Sequence, residues 1–354
     1  MLGLVSEGMT EQLSLINGVA IALIALTAGN ELDLRAFRPL LRSIGWMTLV
    51  AVVGTAFLLS LTIFLSRDLL PFMSLMDTRE SLAVAMVLGS VMAAQSPAVV
   101  VALRDEMNAD GPVTRTVLGV VVIADLVIIL LFALTSSIAK SIFGAPGDVV
   151  ETVLQLAWEL LGSLGAGTML GAVLWIYLRK VQGGGALFVL TVAFVMAEVG
   201  RRVHFDPLLA ALAAGMFIRN VTTTGDRLHH EIEAAALPVY VVFFATAGAA
   251  IHLDVLLVVG VPAALYVVVR ALGLWGGSRI GARIAGSPAS VRRWAGFGLL
   301  PQAGLALALA LLFASTFPEF GAEAAALTLG VVAINEVLAP AIYRYALVKS
   351  GEAG

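Results

Sequence analysis

The stretch MAAQSPAVVVAL (Met92–Leu103) places Gln-Ser-Pro in the middle of an apolar run that would otherwise cross a membrane as one helix. Proline cannot continue the hydrogen bonding of a helix, and the backbone groups that it frees are tolerated at membrane depth only where they face protein or a water-filled cavity. A second stretch, GLLPQAGLALAL (Gly298–Leu309), again combines Pro, Gln and small residues halfway along an apolar run. The sequence therefore predicts two interrupted helices, with a simple kink at each proline as the alternative.

The composition around these stretches is that of a polytopic helical membrane protein. Of the 354 residues, 60% are hydrophobic and 13% are charged, whereas a soluble domain carries about 25% charged residues. Apolar runs of about 20 residues, the length that a helix needs to cross a bilayer, recur along the chain. The chain has no cysteine, which excludes disulfides and thiolate metal sites.

Apolar runs between polar segments predict eleven membrane helices. They cover residues 13–29, 44–65, 82–103, 112–138, 150–178, 186–203, 207–218, 237–250, 254–281, 293–313 and 322–347. The loops on one side of these helices contain 15 Lys and Arg residues, and those on the other side contain 5. Because basic residues concentrate in cytoplasmic loops, the C-terminus is expected in the cytoplasm and the N-terminus outside.

The helices form two related halves. LTAGNELDL (Leu26–Leu34) is similar to ATAGAAIHLDV (Ala245–Val255), and the two interrupted stretches are similar to each other. The members of each pair lie seven helices apart, an odd number, so the second copy runs opposite to the first. Inverted repeats with interrupted helices are typical of secondary transporters. The first repeat is expected at about 13–138 and the second at about 207–347.

A single acid lies deep in an apolar run, in VVIADLVIILL (Val121–Leu131). A carboxylate at the centre of a membrane helix costs about 2.5–3.5 kcal/mol, and such residues are usually functional. Asp125 is therefore predicted to bind a proton or a cation in turn, which is the central step of an exchanger. A hydrogen bond that pins two helices together is the structural alternative.

Other polar residues lie in or near the spans. Arg270, in YVVVRALGLW, is the one basic residue deep in the interior of a predicted helix and needs either an acid or helix-end carbonyls as partners. Asp125, Glu336 and Glu198 are the candidate acids. Asn335 and Glu336 lie on the repeat counterpart of the Asp125 helix, where Glu336 either binds ions or compensates the charge of Arg270. Glu198 is the weaker candidate, because it lies near a helix end and can reach the interface.

The motifs AAQSPAVV, VVIADLVII, FFATAGAAIHLD, YVVVRALGLWGGSRI and GLLPQAGLALALAL resemble, in this order, successive helices of the monovalent cation/proton antiporter superfamily, the sodium/hydrogen exchanger-like membrane domain. The resemblance runs from Leu13 to Tyr345. It implies a core domain with two crossed, unwound helices, at about 82–138 and 293–347, and a separate domain for homodimerisation. It also implies elevator-like alternating access.

The resemblance assigns roles to individual residues. The ion-binding aspartate of the family falls on Asp125, and its basic residue on the tenth helix falls on Arg270. Gln95 and Ser96 are expected to supply further ion ligands. The unwound segments are expected at Gln95-Ser96-Pro97 and at Pro301-Gln302-Ala303.

The chain departs from the family pattern at the acid. Ala124 stands where the family usually has Asn or Asp before the aspartate, and Gln95-Ser96 stand where Thr-Asp is common. One carboxylate rather than two favours an electroneutral exchange of one cation for one proton. The counterpart of DPLLAALAAGMFIRN (Asp206–Asn220) should precede Leu13, so one or two N-terminal helices are expected to be absent from this sequence.

The sequence thus predicts one transmembrane antiporter domain over residues 1–349, followed by a short cytoplasmic tail at 350–354. It is expected in a bacterial inner membrane, exchanging Na⁺ or K⁺ for H⁺ without cofactor, resident metal or nucleic-acid partner. It is not expected to be an enzyme, since an intramembrane aspartyl protease needs two deep aspartates. A sodium-coupled symporter of an organic anion and a channel-like or non-transporting relative are the alternatives.

Overall fold

The computed structural model describes residues 7–31, 33, 35, 40–144, 149–181, 183–203, 205, 207–250, 253–302 and 304–353. Over these residues the regular structure is helical. Ala303 and parts of the two Thr-Ala-Gly motifs, at residues 32, 34, 251 and 252, lie outside the described residues. The helices in this part of the chain are α1 Glu7–Glu31, α2 Leu41–Leu65, α3 Thr78–Met92, α4 Pro97–Glu106, α5 Pro112–Phe143, α6 Val149–Lys180, α7 Gly185–Val203, α8 Pro207–Val221, α9 Gly225–Ala250, α10 Leu253–Ala285, α11 Ala289–Gly298, α12 Gly304–Thr316 and α13 Gly321–Ser350.

Each predicted span coincides with one of these helices or with a pair of half-helices, which confirms the all-helical fold. Five helical segments of the described chain are long and apolar enough to cross a membrane: Leu41–Leu65, Pro112–Phe143, Leu161–Lys180, Gly260–Ala285 and Gly321–Ser350. The other apolar helices are shorter or interrupted. The count of eleven crossings therefore stays a prediction.

The chain divides into two compact units. The first unit comprises residues 1–35 and 148–251, and the second comprises residues 36–147 and 252–354. In the first unit α1 packs against α7, α8 and α9, and α6 packs against α8. The second unit combines α2–α5 with α10–α13, so each predicted repeat supplies four helices. The predicted core segments 82–138 and 293–347 both lie in this second unit.

Both predicted helix interruptions are present in the second unit, but Pro97, expected in the unwound segment, is already helical. The first separates α3 from α4 between Met92 and Pro97, and Pro97 is the first residue of the second half-helix. The other separates α11 from α12 between Gly298 and Gly304, and it contains Pro301 and Gln302. A proline at the first position of a helix has no N–H to leave unpaired, which explains why α4 can restart at Pro97.

Three glycines at four-residue spacing bring α10 into close contact with α2. A Cβ atom at Gly277 would lie 2.6 Å from the Cα atom of Ala51, and one at Gly281 would lie 2.8 Å from the Cα atom of Met47. A Cβ atom at Gly273 would lie 2.7 Å from the side-chain hydroxyl of Thr55. Membrane helices without a hydrophobic driving force between them use such small residues to pack closely. The contact begins about one helical turn after Arg270 and holds this part of α10 against α2.

We predict that Gly277→Ala lowers the thermal stability of the protein, because the added methyl group would push α10 away from the α2 backbone. Overpacking of this kind costs about 1–3 kcal/mol. The neighbouring Gly276→Ala is the matched control, since nothing lies within 4 Å of a Cβ atom there. Melting temperatures of both variants in detergent would test the contact, and equal shifts in the two would contradict it.

Candidate functional site

Arg270 lies at the centre of the second unit and is completely buried. Its Nε atom donates to the carbonyl oxygen of Met92 at 2.7 Å, and Nη2 donates to that of Ala94 at 2.7 Å. Nη1 donates to the carbonyl oxygen of Leu300 at 2.7 Å. The guanidinium therefore joins the two helix interruptions to each other.

The partners of Arg270 are carbonyls at helix ends. Met92 is the last residue of α3 and Ala94 follows it in the first interruption, while Leu300 follows the end of α11. The last carbonyls of a helix have no intrahelical donor and carry the negative end of the helix dipole. A planar cation with five donors satisfies several of them at once, so Arg270 neutralises both helix ends without an acid.

Gln302 and Asn335 extend this network. The Nε2 atom of Gln302 donates to the carbonyl oxygen of Met92 at 3.1 Å. The Nδ2 atom of Asn335 donates to Oε1 of Gln302 at 3.0 Å and to the carbonyl oxygen of Val331, also at 3.0 Å. Both amide side chains are buried. The second interruption is thereby bound to the end of α3 on one side and to α13 on the other.

The first interruption contains Gln95 and Ser96, which are both buried. The Ser96 hydroxyl accepts a hydrogen bond from the backbone N–H of Val99 at 3.3 Å and so caps the N-terminus of α4. Among the described residues, neither the amide nitrogen nor the amide oxygen of Gln95 has a hydrogen-bond partner. Leaving such a group buried and unpaired costs about 1–3 kcal/mol, and the chain retains it in the unwound segment.

Asp125 is buried on α5, among the buried residues Val121, Val122, Ala124 and Ile128. Helix α5 packs against both halves of both interrupted helices, which are α3 and α4 on one side and α11 and α12 on the other. The acid is therefore carried by a helix that contacts all four half-helices, as α13, which carries Asn335, also does.

Two acids that the sequence offered as partners of Arg270 lie elsewhere, which corrects that expectation. Glu336 is exposed on α13, although Asn335 beside it is buried, because neighbouring residues point in different directions around a helix. Glu198 pairs with Nη2 of Arg202 at 2.9 Å in the first unit. No carboxylate of the described chain forms an ion pair with Arg270, so backbone carbonyls and not Glu336 compensate its charge.

We predict that Arg270→Met strongly destabilises the protein, because it would leave the carbonyls of Met92, Ala94 and Leu300 buried without donors. Arg270→Lys should be intermediate, since one ammonium group cannot reach three separated carbonyls as the guanidinium fork does.

Arg344→Met is the control for these variants, because Arg344 forms an exposed pair with Glu106 and such pairs contribute about 0–1 kcal/mol. Thermal unfolding of the purified variants would test the order. A stability of Arg270→Met equal to that of Arg344→Met would contradict the bracing role.

Comparisons with known proteins agree with this architecture. The family model described as "Sodium/hydrogen exchanger, transmembrane" matches residues 1–349. The solved structure of the sodium proton antiporter MjNhaP1 from Methanocaldococcus jannaschii at pH 8 matches with a TM-score of 0.72 and 17% sequence identity, covering 94% of this chain and 84% of that chain. A comparison with curated proteins found no match. Since the family model covers almost the whole sequence, this integral membrane transporter belongs to the sodium/hydrogen exchanger family.

Proposed function

We propose that this protein exchanges a monovalent cation, Na⁺ or K⁺, for H⁺, and that Asp125 binds the proton and the cation in turn. The observation that carries the proposal is the position of Asp125, which is a buried carboxylate on a helix that packs against both interrupted helices. A carboxylate in an apolar environment is stabilised either by a proton or by a cation. Competition between the two ions for one group couples their movement.

The cation would be bound by oxygen atoms of the first interruption together with Asp125. Hard cations prefer carboxylate, carbonyl and amide oxygens as ligands. The amide of Gln95 is buried without a hydrogen-bond partner in the described chain, so its oxygen is free to bind an ion. The hydroxyl of Ser96 accepts the capping hydrogen bond from Val99, and a second lone pair remains for a cation.

The charges in the unit support a one-for-one exchange. Arg270 keeps its charge against three backbone carbonyls, so it need not release a proton during transport. Ala124 precedes Asp125 and offers no second carboxylate. One carboxylate that alternates between a proton and a monovalent cation has the same charge in both loaded states, which makes the exchange electroneutral.

The hydrogen-bond network of Arg270, Gln302 and Asn335 also bears on how the ion site opens to one side of the membrane and then to the other. It connects α3, α10, α13 and the second interruption within one compact unit. We expect this second unit to move as a body while it carries the ion, and the first unit to provide the contact of a homodimer. The membrane would be a bacterial inner membrane with the C-terminus in the cytoplasm.

We predict that Asp125→Asn abolishes exchange, because an amide can neither bind a proton nor balance a cation. The protein would be reconstituted in proteoliposomes with an internal pH dye, and Na⁺ or K⁺ would be added outside. Asp68→Asn is the control, since Asp68 is an exposed acid with a side chain that is 91% accessible. Proton movement that persists in Asp125→Asn would contradict the exchange at this residue and would favour a channel-like relative.

We predict that substitutions of the two glutamines affect different properties, the KM for the cation in one case and the melting temperature in the other. Gln95→Met should raise the KM for the cation about tenfold, equivalent to roughly 1.4 kcal/mol, without lowering the melting temperature. Gln302→Met should lower the melting temperature, because Gln302 binds Met92 and Asn335. Transport kinetics and thermal unfolding of both variants would test the contrast. A stability loss in Gln95→Met with unchanged KM would show that Gln95 is structural.

A further inference from the structure

Helix α5, which carries Asp125, begins without a cap of its own. Its N-cap residue is Gly111, which has no side chain, and its first residue is Pro112, which has no N–H. The backbone N–H groups of Val113 and Thr114 therefore need acceptors from elsewhere in the protein, because the first N–H groups of a helix have no intrahelical partner. Only from Arg115 onward does the helix bond to itself, through the carbonyl oxygen of Gly111 at 3.0 Å.

Glu352, in the C-terminal tail, supplies both acceptors. Its Oε1 atom accepts from the N–H of Val113 at 2.7 Å, and its Oε2 atom accepts from the N–H of Thr114 at 2.8 Å. The hydroxyl of Thr114 also donates to Oε2 at 2.8 Å. The backbone takes part as well, because the N–H of Asp110 donates to the carbonyl oxygen of Glu352 at 3.2 Å. All of these contacts lie within the second unit.

Two glycines direct the tail to this place. Gly351 ends α13 in the left-handed conformation, at φ +76°. Its N–H donates to the carbonyl oxygen of Val348 and that of Glu352 donates to Leu347, the pattern of a Schellman motif that turns the chain sharply. At the other side a Cβ atom on Gly111 would lie 2.3 Å from Cδ of Glu352. A side chain at position 111 would displace the carboxylate.

The electrostatics favour a carboxylate at this end of α5. A negative charge near a helix N-terminus interacts favourably with the helix dipole, and a side chain that accepts from the first N–H groups stabilises the helix. Arg115, the nearest basic residue on α5, is bound instead by Asp110 at 2.7 Å. The Arg115 guanidinium beside Asp110 holds the pKa of that carboxyl below its usual range. Glu352 is thus bound mainly by the helix terminus and by Thr114.

We propose that Glu352 is a positioning residue for ion exchange, which sets the axial position of the helix that bears Asp125. Asp125 lies eleven residues after Thr114 on one continuous helix, about 17 Å along its axis at 1.5 Å per residue. A shift at the first turn is therefore carried to the acid. Through α13 the same tail is continuous with Asn335, which binds Gln302 at the helix interruption. The inference rests on the proposed exchange at Asp125.

The test uses the full chain and three variants. Glu352→Ala removes the cap, Gly111→Ala displaces the carboxylate while keeping it, and Glu106→Ala is the control because Glu106 is an exposed acid that pairs with Arg344. Hydrogen exchange of the peptide that contains Val113 and Thr114 reports the cap. Proteoliposome kinetics report KM and kcat for the cation.

We expect the first two variants to speed amide exchange at the start of α5 at least tenfold and to raise KM about fivefold, with kcat within twofold of wild type. Glu106→Ala should match wild type in both assays. Glu352→Gln, whose amide keeps one acceptor oxygen, should lie between wild type and Glu352→Ala.

Two results would overturn the inference. Amide exchange unchanged in Glu352→Ala would show that the cap does not form, and faster amide exchange with unchanged KM would show a cap with no influence on transport. A wild-type protein without exchange activity, or activity that survives Asp125→Asn, would instead refute the proposed function. The amide exchange would report the cap in that case too.

Discussion

The second unit depends on one interaction, the binding of the Arg270 guanidinium to three backbone carbonyls. Two interrupted helices leave carbonyls and amides unpaired at membrane depth, where each unpaired group costs several kcal/mol. A single buried cation satisfies the ends of both helices, and in return those carbonyls make the burial of an arginine tolerable. The glycine contact between α10 and α2 places the arginine, and the amides of Gln302 and Asn335 complete the network.

Much of the fold could be predicted from sequence, because its signals are local. The eleven apolar segments follow from hydropathy, and the interruptions follow from Pro97 and Pro301, whose chemistry acts on the residues next to them. For Arg270 the sequence predicted the kind of partner, an acid or helix-end carbonyls, but not which residues supply it. A carbonyl acceptor exists at every residue, so no side-chain pattern distinguishes Met92 or Leu300 from its neighbours.

The wrong prediction for Glu336 and the missed contact of Glu352 have a common cause. Both depend on where side chains point in the folded protein. Glu336 is a candidate partner of Arg270 from its place on the counterpart of the Asp125 helix, but Asn335 and not Glu336 is buried. The contact of Glu352 with α5 joins residues more than 230 positions apart, and nothing in the tail predicts it. A Gly-Pro pair at the start of α5 does signal a helix without its own cap, and Gly351 signals a turn. Only tertiary structure brings these two signals together.

The two predicted repeats each contribute one interrupted helix to the second unit, but the polar residues at the two interruptions differ, and this difference argues for where transport occurs. Each interruption contains one glutamine. Gln302 in the second predicted repeat is hydrogen-bonded at both its amide nitrogen and its amide oxygen, to Met92 and Asn335, whereas the amide of Gln95 in the first has no partner among the described residues. The helix after the first interruption bears Asp125, and its counterpart bears the structural amide of Asn335. A buried polar side chain whose hydrogen bonds are made within the protein makes the structure more rigid. A buried polar side chain that lacks such hydrogen bonds can bind a ligand instead. We therefore infer that the residues of the second predicted repeat hold the two interruptions together and that those of the first bind the ion.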